Sequence, residues 1–214
     1  MNLRWKIAQA AELRWWKNYL KNKTVDKYLQ DKKAYWQRVL KEIGTEWLPE
    51  QKILDAGCGP AGIFILSDDQ NHRVDALDPL LNYYEKSLPH FNKIDYPKVH
   101  FFAQALENFE PATMYDTIFC LNAINHVADL TKSLQQLHKI LAPNGQLILS
   151  TDAHKHAWLK PIFKLLPGDI LHPHQYDLPE YRALLLTHGF RIEKEMCLKE
   201  GNIFDYWLWV LRKK

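Results

Sequence analysis

Two segments before residue 50 repeat their hydrophobic residues at the spacing of amphipathic helices. The first runs from residue 3 to about 22 and the second from about 25 to 47, and neither contains a proline. Hydrophobic residues three or four positions apart lie on one face of a helix. The pattern therefore predicts two helices, with Thr24 or Asp26 able to cap the second.

Short apolar runs alternate with segments of helical spacing from residue 51 onward. Strands are expected near residues 52–56, 73–77, 98–102, 115–121 and 145–150, and helices near 61–67, 80–88, 130–140, 156–165 and 178–188. This alternation is typical of parallel strands joined by helical crossovers. It predicts an α/β fold with a doubly wound, mostly parallel sheet.

Two further strands are expected at residues 190–197 and 203–211, with only a short link containing Gly201 between them. Because the link has no room for a crossover helix, they should form an antiparallel hairpin. The predicted architecture is a seven-stranded Rossmann-like sheet over residues 49–214 that ends in this hairpin. Residues 1–48 are predicted to be a helical extension.

Tryptophan is concentrated in this extension. Five of the eight tryptophans lie in the first 50 residues, namely Trp5, Trp15, Trp16, Trp36 and Trp47. Two amphipathic helices need fewer for packing, so we expect a lid that closes over bound ligands. Packing of each ring in a core is the alternative interpretation.

The composition is that of a globular protein kept in a reducing compartment. Of the 214 residues, 47% are hydrophobic and 25% are charged, and no apolar run approaches the length of a bilayer span. Cys58, Cys120 and Cys197 are too widely spread for a disulfide framework or a metal knuckle. The first residues carry charge and no signal cleavage site, so a cytoplasmic location is expected.

The charge of the chain is unevenly distributed. The net charge is only +3, but residues 1–50 hold eleven basic residues against six acidic ones. This local excess could favour an anionic substrate, a lipid surface or RNA, or it could belong to solvated helix faces. The net charge alone does not favour a nucleic-acid partner.

A glycine-rich turn follows the first predicted strand. Residues 53–62 read Ile-Leu-Asp-Ala-Gly-Cys-Gly-Pro-Ala-Gly, and Asp78 ends the next apolar run. Gly57 and Gly59 let the backbone turn tightly and approach a ligand, while a carboxylate at position 78 can accept hydrogen bonds from ribose hydroxyls. The two features together predict a pocket for a nucleoside.

The turn also fits the dinucleotide pattern G-x-G-x-x-G, which alone is a weak signal. Asp55 would place a negative charge where a pyrophosphate would be repelled, whereas a cationic ligand with an amino group and a sulfonium would be favoured. Pro60 offers no backbone N–H where a phosphate would need a donor. These residues argue against a dinucleotide.

A second turn supports a specific family. Leu141-Ala-Pro-Asn-Gly145, before a predicted strand, resembles the L-x-P-G-G turn of class I S-adenosylmethionine (SAM) methyltransferases, and the first motif resembles their D-x-G-x-G-x-x-G. The resemblance covers residues 50–214 and points to the ubiquinone/menaquinone-biosynthesis-like (methyltransferase type 11) group. It implies SAM as the cofactor and S-adenosylhomocysteine (SAH) as its product.

The resemblance also implies which residues bind that cofactor. The implied cofactor-binding residues are Asp55, Gly57, Cys58, Gly59, Asp78, Pro79, Gln104, Ala105, Leu106 and Asn122. Ala105 stands where the family commonly has an Asp for the adenine amino group, so Gln104 or the backbone of Leu106 would have to supply that contact. Affinity for SAM could therefore be lower than usual.

Three histidines are candidates for a catalytic base. His126 follows the fourth strand in Ala123-Ile-Asn-His126, which is not the N-P-P-Y of amide or adenine-amino methylation; it could be a base or a residue that packs on SAM. His154 and His174 belong to two His-x-His pairs after the fifth strand and could remove the acceptor proton. The spacing of these pairs does not establish a metal geometry, and we predict no metal site.

The sequence therefore predicts a SAM-dependent methyltransferase that acts on oxygen, nitrogen or carbon of a small planar or apolar metabolite. The expected partner is that small-molecule acceptor, and the protein is expected to be a monomer or a homodimer. RNA methylation, favoured by the basic N-terminus, is one alternative. A non-catalytic SAM-binding or interaction protein, favoured by Ala105, is the other.

Overall fold

A single seven-stranded sheet organises the protein. A computed structural model describes residues 3–70, 72–155, 174 and 176–214. The strands are β1 (Ile53–Ala56), β2 (Val74–Leu77), β3 (Val99–Phe102), β4 (Tyr115–Leu121), β5 (Leu141–His154), β6 (Phe190–Lys199) and β7 (Phe204–Lys213).

Their order in the sheet is β3-β2-β1-β4-β5-β7-β6. The pairs among β1 to β5 are parallel, and β7 runs antiparallel to both β5 and β6. The predicted α/β fold, a mostly parallel sheet that ends in an antiparallel hairpin, is confirmed.

Five helices surround the sheet in the described part of the chain: α1 (Leu3–Leu20), α2 (Val25–Ile43), α3 (Leu81–Ser87), α4 (Leu130–Ile140) and α5 (Leu178–Thr187). Side-chain caps fix the N-termini of two of these helices. Asp129 accepts from the Lys132 N–H at 3.0 Å before α4, and Asp177 and Glu180 form a capping box before α5. None of the described helices combines the length and the apolar character needed to cross a bilayer.

Two elements differ from the sequence prediction. The helix expected near 61–67 is a single 3-10 turn, Ile63–Leu66, whose four side chains are all buried. Ile63 and Ile65 are β-branched, which lowers helix propensity, and the Phe64 N–H is bound by the Asp55 carboxylate. Strand β5 begins at Leu141, which pairs with Tyr115 before a register shift, so the Pro-Asn-Gly turn lies within the strand. The helix expected at 156–165 falls outside the described residues.

The two N-terminal helices are attached to the core to different degrees. α2 buries Tyr28, Trp36, Val39, Leu40 and Ile43 in a cluster that also contains Phe64 and Phe119. In α1, by contrast, only Ala8 and Leu20 are buried among the residues whose burial is described. Burial of apolar side chains stabilises by about 25 cal/mol per Å², so α2 is the more strongly held helix.

Candidate functional site

A cavity of about 140 Å³ lies at the carboxyl ends of β1, β2 and β4, beneath α1. We call it the first cavity. Loops that follow the strands provide Gly57, Cys58, Gly59, Asp78, Pro79, Gln104, Ala105, Leu106, Glu107, Asn122, Ala123, His126 and Val127 to its lining, and the two N-terminal helices provide Trp5, Gln9, Glu12, Trp16, Lys32 and Trp36. Ligands of open α/β sheets bind at this edge of the sheet.

The glycine turn has a backbone that other residues could not adopt without strain. Gly57 and Gly59 have φ angles of 74° and 58°. The N–H groups of Gly57 and Cys58 both donate to the Leu77 carbonyl, at 2.7 and 3.1 Å. A Cβ on Gly57 would overlap the Cβ of Ala123. The turn is thus held tightly between β2 and the loop after β4.

Asp78 joins this turn to the loop after β2. Its Oδ2 accepts from the Gly59 N–H at 3.0 Å, and its Oδ1 accepts from the Leu80 N–H at 2.7 Å. Burial raises the pKa of the carboxyl to about 6, although both backbone hydrogen bonds favour the charged form. The carboxylate lines the first cavity, where a ligand hydroxyl could donate to it.

Asp55 lies behind the turn. It is buried, and its Oδ2 accepts from the Phe64 N–H at 3.0 Å, which fixes the 3-10 turn against β1. Burial raises its pKa to about 7, and the charge of Asp78 contributes to the same shift. Asp55 thus braces the turn and does not line the first cavity. Its binding of the cofactor stays a prediction.

Glu12 is a site residue that the sequence did not reveal. It lies on α1 and lines the first cavity, and the Tyr84 hydroxyl lies 3.4 Å from its Oε1. Burial, followed by the charge of Asp78, raises its pKa to about 8. No local motif marks this residue, because only the packing of α1 over the sheet brings it beside Asp78.

The loop after β3 closes another side of the cavity. Gln104, Ala105 and Leu106 line it, as expected from the sequence. The Oε1 of buried Glu107 accepts from the N–H groups of Ala128 and Asp129 at 2.7 and 3.0 Å. Glu107, also missed from the sequence, therefore joins the loops after β3 and β4.

Asn122 directly follows β4 and has a left-handed backbone conformation, with a φ of 54°. Its N–H donates to the carbonyl and to the Oγ of Ser150, at 2.9 and 3.1 Å. A positive φ in a residue other than glycine is uncommon and often marks a functional loop. Asn122 lines the first cavity at the carboxyl end of β4.

The three candidate histidines occupy different places. His126 lines the first cavity. His154 is buried, with its ring centroid 4.4 Å from that of Phe204, and the Nε2 of His174 lies 2.9 Å from the Val127 carbonyl oxygen. Neither of these two lines the first cavity. The other histidines of the two His-x-His pairs, His156 and His172, lie outside the described residues.

Some of the N-terminal tryptophans line the first cavity and others do not. Trp5, Trp16 and Trp36 line the first cavity, whereas Trp15 is exposed and Trp47 is buried with its ring against that of Phe119. The Trp36 Nε1 donates to the Ala61 carbonyl at 3.0 Å. Aromatic rings from both N-terminal helices therefore cover the glycine turn.

Comparisons with known proteins identify related sequences. The family described as "Methyltransferase domain" matches residues 26–195. A ubiquinone biosynthesis O-methyltransferase of Rickettsia akari is 31% identical over 104 residues, which are 49% of this chain and 41% of the relative. A tRNA U34 carboxymethyltransferase of Alteromonas mediterranea is 29% identical over 122 residues, which are 54% of this chain and 36% of the relative. The chain thus spans about two fifths of the length of these relatives.

A solved structure shares the fold. The 1,6-didemethyltoxoflavin-N1-methyltransferase of Burkholderia thailandensis, determined with 1,6-didemethyltoxoflavin and SAH, aligns with a TM-score of 0.65. The alignment covers 99% of this chain and 87% of that protein at 16% sequence identity. At this identity the similarity concerns the fold.

Proposed function

Because the chain belongs to the methyltransferase-domain family, we propose that it is a SAM-dependent methyltransferase that acts on a small planar molecule. The observation that supports this proposal most directly is the glycine turn held by Asp78 at the edge of the sheet. The turn brings backbone close to a ligand, and the carboxylate can accept from ribose hydroxyls.

The charges in the first cavity fit such a ligand. Glu12 and Asp78 both have raised pKa values, and neither forms an ion pair among the described residues. SAM carries one carboxylate, an amino group and a sulfonium, and the two positive charges would favour the ionised form of nearby carboxyls. When bound, SAM would supply an electrophilic methyl group.

The protein's own residues would bind and orient the ligands, and they would exclude water from the cavity. The rings of Trp5, Trp16 and Trp36 cover the cavity, and water exclusion strengthens the electrostatic interactions inside it. We propose α1 as the part of the N-terminal extension that opens to admit ligands, since it buries less apolar surface than α2. His126, which lines the cavity, is our proposed proton acceptor; His154 and His174 stand as the alternatives.

RNA methylation is a second candidate, favoured by the similarity to a tRNA-modifying enzyme. Several basic residues of the extension, however, already face carboxylates. Lys27, Lys33 and Arg38 lie 3.3, 3.2 and 3.7 Å from Asp31, Asp69 and Glu42. These ion pairs compete with a phosphate backbone for the three basic side chains.

Calorimetric titration with SAH and with NAD tests the proposal. We expect SAH to bind and to raise the melting temperature, because a ligand held only by the folded state stabilises that state. Transfer of labelled methyl from SAM to a small-molecule extract should follow. Micromolar binding of NAD without binding of SAH or SAM would overturn the proposal, and labelling of RNA alone would favour the second candidate.

A further inference from the structure

A second, larger cavity adjoins the first. It has a volume of about 690 Å³ and lies between the two N-terminal helices and the ends of β4, β5 and β7. Lys32, Trp36 and Asn122 line both cavities. A ligand in the second cavity would therefore meet a ligand in the first at these three residues. A volume of this size is in the range of small-molecule sites, which is about 300–1,000 Å³.

The walls of the second cavity are aromatic. Tyr19, Tyr28, Tyr35 and Tyr206 line it together with Trp36. Positions 28, 32 and 35 are four and three residues apart, so α2 presents them on one face. Flat rings provide a large apolar contact area and pack well against another flat ring. The cavity thus favours a planar ligand.

One side of the second cavity is basic. Lys23, Lys27 and Lys32 line it, and Lys27 pairs with Asp31 at 3.3 Å. Lys23 Nζ lies 4.0 Å from the centroid of the Tyr19 ring, and Lys32 Nζ lies 5.3 Å from that of Trp36. Among the described residues neither of these two lysines has a carboxylate partner.

Lys32 is half-buried, and burial, followed by the nearby charge of Lys23, lowers its pKa. A buried cation is costly unless an anion pairs with it. An anionic group of a ligand would supply that partner.

The opposite side of the cavity presents hydroxyl groups and one carboxylate. The Tyr206 hydroxyl lies 2.6 Å from Ser150 Oγ, and Tyr35 lines the cavity beside it. Ser150 in turn accepts from the Asn122 N–H. Asp152 lines this side as well and would repel a second negative charge. A ligand anion is therefore directed toward the lysines, and neutral hydroxyls toward Asn122.

We propose that the second cavity is the acceptor site and that it selects a planar aromatic hydroxy compound carrying a carboxylate, which Lys32 holds. The proposal rests on the proposed function, because it assigns the acceptor of that same reaction. It also narrows the planar or apolar acceptor expected from the sequence to an anionic one.

Two probes that differ only in the carboxylate test the assignment: 3,4-dihydroxybenzoate and catechol. Their dissociation constants are measured by calorimetry on the full chain saturated with SAH. We expect 3,4-dihydroxybenzoate to bind at least about 10-fold more tightly, corresponding to about 1.4 kcal/mol. Added salt should reduce the preference.

A pair of variants tests whether Lys32 is the lysine that holds the carboxylate. Lys32→Gln should reduce the preference for 3,4-dihydroxybenzoate over catechol to within about 3-fold. Because Lys32 also lines the first cavity, both dissociation constants are measured on each variant at a SAH concentration that saturates it. Lys33→Gln is the matched control, because Lys33 is the next residue on α2, pairs with Asp69 and does not line the cavity. It should keep the wild-type preference. Circular dichroism and the SAH titration show that each variant is folded.

The outcomes separate the two proposals. If SAH does not bind to the wild type, the proposed function fails and the acceptor assignment fails with it. If SAH binds but the two probes bind equally, only the acceptor assignment is overturned. Weaker SAH binding by Lys32→Gln, with the preference between the probes intact, would assign Lys32 to the cofactor and likewise overturn its role here.

Discussion

The Trp36 indole donates a 3.0 Å hydrogen bond to the carbonyl of Ala61, which lies in the glycine turn 25 residues later. This bond ties α2 to the loop that would bind the cofactor. Helix α1 reaches the same site through Glu12, whose contact with Tyr84 is longer, at 3.4 Å. The two helices of the N-terminal extension are therefore expected to behave differently when they are removed.

Removal of α1 alone should leave a folded protein with weakened ligand binding. A chain that begins at Asn22 keeps the buried face of α2 but loses Trp5, Glu12 and Trp16 from the first cavity. We expect cooperative thermal unfolding, monitored by circular dichroism, and a SAH dissociation constant raised by about 10-fold or more. A chain that begins at Leu48 should fail to fold, because it loses the α2 side chains of the core. If the Leu48 chain is stable, the boundary near residue 48 marks a separable extension.

Asp78→Asn should weaken SAH binding. The amide keeps the shape of the side chain but loses the charge and one of the two acceptor atoms that hold the Gly59 and Leu80 N–H groups. Hydrogen bonds to charged groups contribute about 1.5–3 kcal/mol, so the dissociation constant should rise about 10- to 100-fold in calorimetry. Asp69→Asn, at an exposed ion pair with Lys33, should bind SAH like the wild type. If the two variants bind SAH with equal affinity, Asp78 does not contribute to cofactor binding.

Gly57→Ala should be more destabilising than Gly44→Ala. Both glycines have similar left-handed φ angles, 74° and 71°, so an added Cβ strains both backbones to a similar degree. Only at Gly57 would the new methyl group overlap Ala123, whereas nothing lies within 4 Å of it at Gly44. We expect urea denaturation to show an additional loss of about 1–3 kcal/mol at Gly57. A smaller difference would mean that the loop after β4 moves aside easily.

The stability of the ligand-free protein should fall as the pH rises from about 5 to 8. Glu12 keeps its proton up to a pKa of about 8 in the folded state but loses it near 4.5 when unfolded, so the unfolded state binds fewer protons in between. Asp55 and Asp78, with raised pKa values of about 7 and 6, act in the same direction at lower pH. Glu12→Gln should raise the free energy of unfolding at pH 8 by about 1–3 kcal/mol and leave it unchanged near pH 4.5.

The control for this pH profile is Glu110→Gln, which alters an exposed ion pair with Lys139 at 3.4 Å. Exposed pairs contribute about 0–1 kcal/mol, so the profile of this variant should follow the wild type. Saturating SAM should flatten the wild-type profile, because bound positive charges favour the ionised carboxyls. A profile for Glu12→Gln as steep as that of the wild type would contradict the burial of a neutral carboxyl at position 12.

His126→Gln should lower turnover by about 10²- to 10⁴-fold with little change in SAH affinity, and should remove the pH dependence near neutrality. His154→Gln should lower the melting temperature instead, because His154 is buried against Phe204. His174→Gln breaks the bond to the Val127 carbonyl and should have an intermediate effect on turnover. If turnover and its pH profile respond to His154 or His174 but not to His126, the base is assigned to the wrong loop.

Local sequence signals were sufficient to predict the sheet and the glycine turn, because both are encoded within short stretches of the chain. Gly57, Gly59 and Asp78 stand at fixed positions after two apolar runs, and the hairpin follows from the short link at Gly201. The 3-10 turn at Ile63–Leu66 differed from the expected helix because two of its residues are β-branched and because Asp55, from β1, binds the Phe64 N–H. Glu12 and Lys32 could not be predicted, since their roles depend on how α1 and α2 pack across the carboxyl edge of the sheet. No pattern within either helix determines that packing.

The sheet order also determines when its edge can be completed during synthesis. Strand β6 pairs only with β7 within the described sheet, and β7 is also the partner of β5. During synthesis β6 precedes β7, and it has no strand neighbour with which to form backbone hydrogen bonds until β7 has also left the ribosome. Until then the unpaired side of β5 is an open edge that other nascent chains could join. Strand β7 thus completes the sheet for two other strands, and the nascent protein is most vulnerable to aggregation while β7 has not yet paired with them.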